Sequence, residues 1–133
     1  MIFLDASFLV SFFSEDEIYH RAIELLKEFE NNQNKKMIIS YGVINEVINV
    51  LNNKLKVDRE VINYAYEFMN NELIIINDIP YFNNTMDIIN RFYPKRMPFF
   101  DCLYIAIMKD LGINEIATFD KHFNNIDQIM CIN

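Results

Sequence analysis

Four carboxylates stand in surroundings that disfavour charge. Asp5 interrupts the apolar opening MIFLDASFLV, and Asp101 interrupts MPFFDCLYIA. Asp120 closes the run EIATFD, and Glu46 has Val43 and Val50 one helical turn away on either side. An acid in an apolar run is costly to bury unless something neutralises it. Each acid alone has a plainer reading. Asp5 suits the N-cap of a segment from Ser7, Asp101 the start of a helix behind Pro98, and Asp120 the cap of the turn KHF, since Asp is favoured at N-caps and at the positive end of a helix. Glu46 lies mid-helix, where its alternative is a solvated edge. As a set the four say more. Two carboxylates about 4 Å apart repel by roughly 4 kcal/mol at an effective dielectric near 20, so a cluster must share protons or hold a cation. Oxygen donors suit a hard ion, Mg²⁺ or Mn²⁺, rather than Zn²⁺ with its preference for His and Cys. Such an ion generates a nucleophile from water and stabilises a phosphoryl transition state.

The elements that carry these acids alternate. Residues 2–5 read as a strand. Ser14 and Glu17 have the form of a capping box, and Ile18, Ala22, Leu25, Leu26 and Phe29 follow at helical spacing. Residues 37–40 read as a second strand whose Ser40 caps a helix over 41–55. Asp58 caps another helix, with Val61, Ile62, Ala65, Phe68 and Met69 on one face. Residues 72–76 read as a third strand. A helix over 79–92 has Pro80 in its first turn, and one from Phe99 ends at Gly112. Residues 115–119 and 129–132 complete the strands. Strands alternating with helices predict a mostly parallel sheet with helices on both faces, and a site at the carboxyl ends of the strands. Asp5 and Asp120 then fall at that edge.

The 133 residues are expected to form one domain around one core. At 52% hydrophobic and 23% charged residues the chain is globular in composition. No run is long enough to span a membrane, and the apolar start lacks a basic leader. Cys102 and Cys131 predict no disulfide framework, and Cys102 reads as a core residue. A cytoplasmic location follows. The net charge of −7 excludes a broad basic grip on nucleic acid but is compatible with acids gathered at one metal site.

The ordered set Asp5, Glu46, Asp101 and Asp120 resembles the PIN domain, and within it the VapC-like toxin ribonucleases. IFLDASFLV looks like the family's opening strand, with a hydroxyl residue, Ser7, two positions after the acid. INEVINVL looks like its Glu helix, PFFDCLYIAIM like the helix of the third acid, and IATFDKHF like the fourth-acid motif. The resemblance implies a three-layer α/β/α fold and metal-dependent hydrolysis of RNA to a 5′-phosphate and a 3′-hydroxyl. It implies that Asp5, Glu46, Asp101 and Asp120 hold Mg²⁺ or Mn²⁺, and that Ser7 assists by hydrogen bonding. It also implies a cognate antitoxin and a homodimer. Asn124 stands where some members carry a fifth acid.

Arg91, Lys95 and Arg96, which lead into the Asp101 helix, are candidates to hold RNA phosphates, as are Lys54, Lys56 and Arg59. The plainer reading of each is a solvated charge. His122 reads as a surface residue within reach of a phosphate, and Tyr104 as core. Phe8, Phe12 and Phe13 are either core or contacts for an antitoxin or a second copy. Other functions are a PIN-fold module without catalysis, a PIN nuclease that is not a toxin, or a phosphotransfer domain on a similar sheet. The last wants an acidic pair after the first strand, where this chain has Ala6 and Ser7.

Overall fold

A computed structural model describes residues 1–133. Five short strands, β1 (Ile2–Leu4), β2 (Met37–Ser40), β3 (Ile74–Ile76), β4 (Glu115–Ala117) and β5 (Met130–Ile132), form one sheet in the order β3-β2-β1-β4-β5. Every pair is parallel. Ile2, Phe3, Leu4, Ile39, Ile116 and Ala117 are fully buried. Burial on both faces explains why the central strands read as unbroken apolar runs rather than as alternation.

Helices α1 (Ala6–Ser14) and α2 (Tyr19–Asn31) connect β1 to β2. A helix α3 (Tyr41–Asn49), a π-helical turn (Val50–Lys54) and α4 (Arg59–Glu72) connect β2 to β3. A 3₁₀ turn (Ile79–Tyr81), α5 (Phe82–Phe92) and α6 (Phe99–Leu111) return the chain to β4. From β1 the order steps to β2 and β3, then reverses to β4 and β5 on the other side. Right-handed crossovers in opposite directions place their helices on opposite faces. Accordingly α1 packs with α2, α3 and α4, while α5 packs with α6. The arrangement is the three-layer α/β/α fold with a parallel sheet. The reversal falls between β1 and β4, and the crevice at their carboxyl ends is where such sheets place ligands.

Several local expectations change. Ser14 ends α1 and caps nothing, and its buried hydroxyl has no partner. The turn is organised by Asp16, which accepts from the Ser11 hydroxyl at 2.8 Å and the Ile18 amide at 2.9 Å, with Glu15 in the left-handed region at φ 53°. The helix expected over 41–55 is α for nine residues and then π. Gly112 ends α6 at φ 69°, as its lack of a Cβ permits. Phe8 and Phe13 belong to the core, and Phe12 is half-buried against it.

Ser40 and Asp58 occupy N-cap positions without a side-chain cap bond. For α3 the cap comes from elsewhere: Asp78, buried behind β3, accepts the Gly42 amide at 2.6 Å. Space there is tight, because a Cβ on Gly42 would lie 3.1 Å from Asp78 Oδ2 and from the Phe100 ring. Asp78→Ala removes a carboxylate from the positive end of α3. Stability should fall by about 1–2 kcal/mol, read by urea denaturation.

Candidate functional site

The β1–β4 register pairs Leu4 with Ala117, so the next residues, Asp5 and Thr118, face each other at the strand ends. The Asp5 amide donates to the Ala117 carbonyl at 3.0 Å. Asp5 stands at the N-cap position of α1 but makes no cap bond. Instead its Oδ2 accepts from two hydroxyls, Ser7 Oγ at 2.7 Å and Thr118 Oγ1 at 2.7 Å. Both hydroxyls are held by backbone donors in turn: the Phe119 amide to Ser7 at 3.0 Å and the Asp120 amide to Thr118 at 3.0 Å. Ser7 therefore orients the first acid, and Thr118, which sequence reading missed, does the same from just past the end of β4. Its signal was a lone hydroxyl in the apolar run EIATF.

Asp120 follows β4 and does cap the KHF turn, accepting the His122 amide at 2.9 Å. Asp101 does not cap α6. It lies in the first turn, 6% exposed, and its Oδ2 is 2.8 Å from His122 Nδ1. The same ring nitrogen lies 3.2 Å from Asp120 Oδ2. The Asp101, Asp120 and His122 ligand atoms all lie within 4.8 Å of one another. His122 is thus half-exposed but joined to the acids, which the surface reading did not anticipate.

Glu46 enters from α3 and is half-buried. Burial, then the charge on Asp5, pushes its carboxyl up to about 7, and Asp101 and Asp120 add to the push. Burial pushes Asp101 up to about 6 against the pull of His122, with Asp5 and Asp120 acting in the same sense as burial. Burial also raises Asp5, outweighing the Ser7 and Thr118 hydrogen bonds. Asp5, Glu46 and Asp101 are thus each raised in part by another acid of the set, while the ligand atoms within one ion's reach are those of Asp101, Asp120 and His122. Tyr104 is fully buried, as expected for core, yet its hydroxyl faces Glu46 without closing a well-formed hydrogen bond.

No Lys or Arg comes within ion-pair distance of Asp5, Glu46, Asp101 or Asp120; the ion pairs of the structure lie elsewhere, apart from the two His122 contacts. Arg91, Lys95 and Arg96 are exposed and pair with no acid, the Arg96 guanidinium lying 5.2 Å from the Tyr93 ring. Asn124 is exposed past the KHF turn. Carboxylates raised by burial and by each other, with no basic partner beyond one imidazole, fit a hard divalent cation by their donor chemistry.

The fold has solved counterparts. VapC20 of Mycobacterium tuberculosis, described as a sarcin–ricin loop cleaving toxin, superposes with a TM-score of 0.78 at 18% identity, covering 91% of each chain. PAE2754 of Pyrobaculum aerophilum gives 0.68 at 17% identity, covering 98% of this chain and 87% of its own. FitAcB of Neisseria gonorrhoeae gives 0.65 at 14% identity, covering 100% and 97%. None of the curated proteins compared matches the sequence. The PIN domain family model matches residues 2–129, nearly the whole chain, and the acids of the crevice lie within that match. This chain belongs to the PIN domain family.

Proposed function

We propose that this single-domain protein is a divalent-metal-dependent endoribonuclease, the toxin of a toxin–antitoxin pair acting in the cytoplasm. The observation that carries the reading is the Asp101, Asp120 and His122 cluster, its ligand atoms within 4.8 Å of one another, with Asp5 and Glu46 coupled to it by charge and no Lys or Arg to neutralise it. Asp5, Glu46, Asp101 and Asp120 would hold the ion, Mg²⁺ or Mn²⁺. When bound, such an ion supplies a nucleophile from water and charge stabilisation for the phosphoryl group. The chain's own residues prepare the place. Ser7 and Thr118 fix the Asp5 carboxylate, and His122 bridges Asp101 and Asp120. Tyr104 brings a polar atom to the buried side of Glu46. Similarity to VapC20 supports RNA as substrate and an antitoxin as partner. No helix is long and apolar enough to cross a membrane.

A homodimer belongs to the same reading. Its contacts do not come from Phe8 and Phe13, which are core. Light scattering on the purified protein should give twice the chain mass, and a monomer at high concentration would remove the dimer from the account. The test of the activity is cleavage of single-stranded RNA with Mg²⁺ or Mn²⁺ and with chelator. Cleavage with the ion and none with chelator is expected; an intact RNA in both would contradict the reading.

Arg91, Lys95 and Arg96 are the proposed phosphate contacts at the approach to α6. Reversing Lys95 and Arg96 to Glu should weaken RNA binding and flatten its dependence on salt, since fewer counterions are released. An unchanged slope in an anisotropy titration would return both to the solvated surface.

A further inference from the structure

A groove of about 440 Å³ runs between α4 and the face of α3 and its π-helical turn. Its lining holds no charged residue, in a chain of net charge −7. Two tyrosines flank it, Tyr41 from the start of α3 and Tyr66 from α4, 56% and 53% exposed. Asn45 and Asn49 of α3 and Asn52 of the π-helical turn recur at helical spacing on the groove side. The π-helical turn then adds Asn53 to the same wall. In that turn the Leu55 amide donates to the Val50 carbonyl five residues back, at 2.8 Å. Such turns are rare and concentrate at functional sites. Here the turn gathers carboxamides: Asn53 Nδ2 donates to Asn49 Oδ1, and Asn52 Nδ2 to Asn53 Oδ1. These bonds leave Asn49 Nδ2 and Asn52 Oδ1 available to a ligand.

One end of the groove is tied to the acids through the sheet, although no acid lines it. Tyr41 follows the last residue of β2, and the β1–β2 register, Phe3 with Ile38, brings Ser40 level with Asp5 one strand away. Glu46 lies on the same helix as the groove wall. From Tyr41 to Asn53 the wall extends about 18 Å at the rise of a helix.

We propose that this groove binds the bases of single-stranded RNA, holding the strand whose phosphate reaches the acid cluster. The proposal rests on the ribonuclease reading above and names the part of the substrate that reading leaves open. Exposed aromatic rings stack on unpaired bases, and Asn carboxamides match the donor–acceptor edges of bases. A wall with no basic residue is suited to bases rather than phosphates.

The test is an anisotropy titration of labelled single-stranded RNA, as homopolymers and one mixed sequence, at several salt concentrations. Ca²⁺ is the only divalent ion, and the RNA is checked intact on a gel. Tyr41→Ala and Tyr66→Ala should each bind about tenfold more weakly, by loss of stacking. Tyr41→Phe and Tyr66→Phe should bind like the parent. The salt slope should not change in any of the four, since no phosphate contact is lost. Should an alanine variant melt early, Asn45→Asp replaces it, placing a negative charge at an exposed position in the groove, and should also weaken binding. Parent-like affinity in the alanine variants or in Asn45→Asp would overturn the proposal and leave the groove to a protein partner, with the nuclease reading intact if the parent still cuts. A parent that neither binds nor cuts RNA would overturn both.

Discussion

Asp101→Asn is expected to fold as well as the parent, to lose its response to divalent ions and to lose RNA cleavage. Asn keeps the shape and an acceptor for His122 Nδ1, which lies 2.8 Å from Asp101 Oδ2. Removing one charge also relieves repulsion from Asp5 and Asp120, both of which push Asp101 up. The metal-free variant should therefore match the parent or exceed it by about 1 kcal/mol. With the ion the order inverts. An ion at a hundredfold its dissociation constant stabilises by about 2.7 kcal/mol, which is on the order of 10 °C in Tm for a domain of this size. The variant should forfeit most of that shift, and cleavage should fall by at least about 100-fold. Melts with and without Mn²⁺, beside a cleavage assay, read both effects. A variant that keeps its Mn²⁺ shift and cuts like the parent would reduce Asp101 to a residue of the α6 first turn.

The second expected result concerns pH. Glu46 rises from an ordinary 4.5 to about 7, and Asp101 from 3.8 to about 6. Asp5 is raised as well. A carboxyl raised by folding binds its proton more tightly in the native state. Between about pH 4 and pH 7 the native protein thus holds more protons than the unfolded chain, and stability falls as pH rises. The contribution is fully present below the unfolded values and is lost as pH passes through the folded ones. At about 1.4 kcal/mol per pKa unit, Glu46 and Asp101 each represent a loss on the order of 3 kcal/mol, and coupling within the cluster keeps the joint loss below the sum. Tm of the metal-free protein should therefore drop from pH 5 to pH 8, and Glu46→Gln should flatten the drop. Saturating Mn²⁺ should reverse its sign, because the ion binds the ionised acids. A metal-free Tm that climbs from pH 5 to pH 8 would show that the acids are not held in a raised state.

The pH and metal predictions both rest on acids that local sequence already exposed. Asp5, Asp101 and Asp120 stand out because each breaks or ends an apolar run, and Glu46 because no capping role explains a mid-helix acid. The parallel sheet was readable for a similar reason: strands buried on both faces leave unbroken apolar strings. What needed the fold was contact across elements. His122 meets Asp101 only because the turn after β4 comes against the start of α6, 21 residues away in the chain. Thr118 matters because Leu4 pairs with Ala117. The cap of α3 comes from Asp78, 36 residues past Gly42, so Ser40 was the reasonable local choice and not the one used. At Ser14 a sound capping pattern lost to a competing turn around Asp16, which took both the Ser11 hydroxyl and the Ile18 amide. The π-helical turn changes which residues share a face without changing composition, and no periodicity marks it.

The most direct measurement is the metal dependence and product chemistry of RNA cleavage by the parent and by Glu46→Gln. Glu46 is the acid with no local structural role to lose, and Gln preserves its size. Single-stranded RNA is incubated with each protein in Mn²⁺ and in chelator, and the ends of the fragments are identified. The account predicts fragments with 5′-phosphates and 3′-hydroxyls from the parent in Mn²⁺ alone, and a loss of at least about 100-fold in the variant. Cleavage that persists in chelator, or that proceeds equally well in the Glu46→Gln variant, would contradict it.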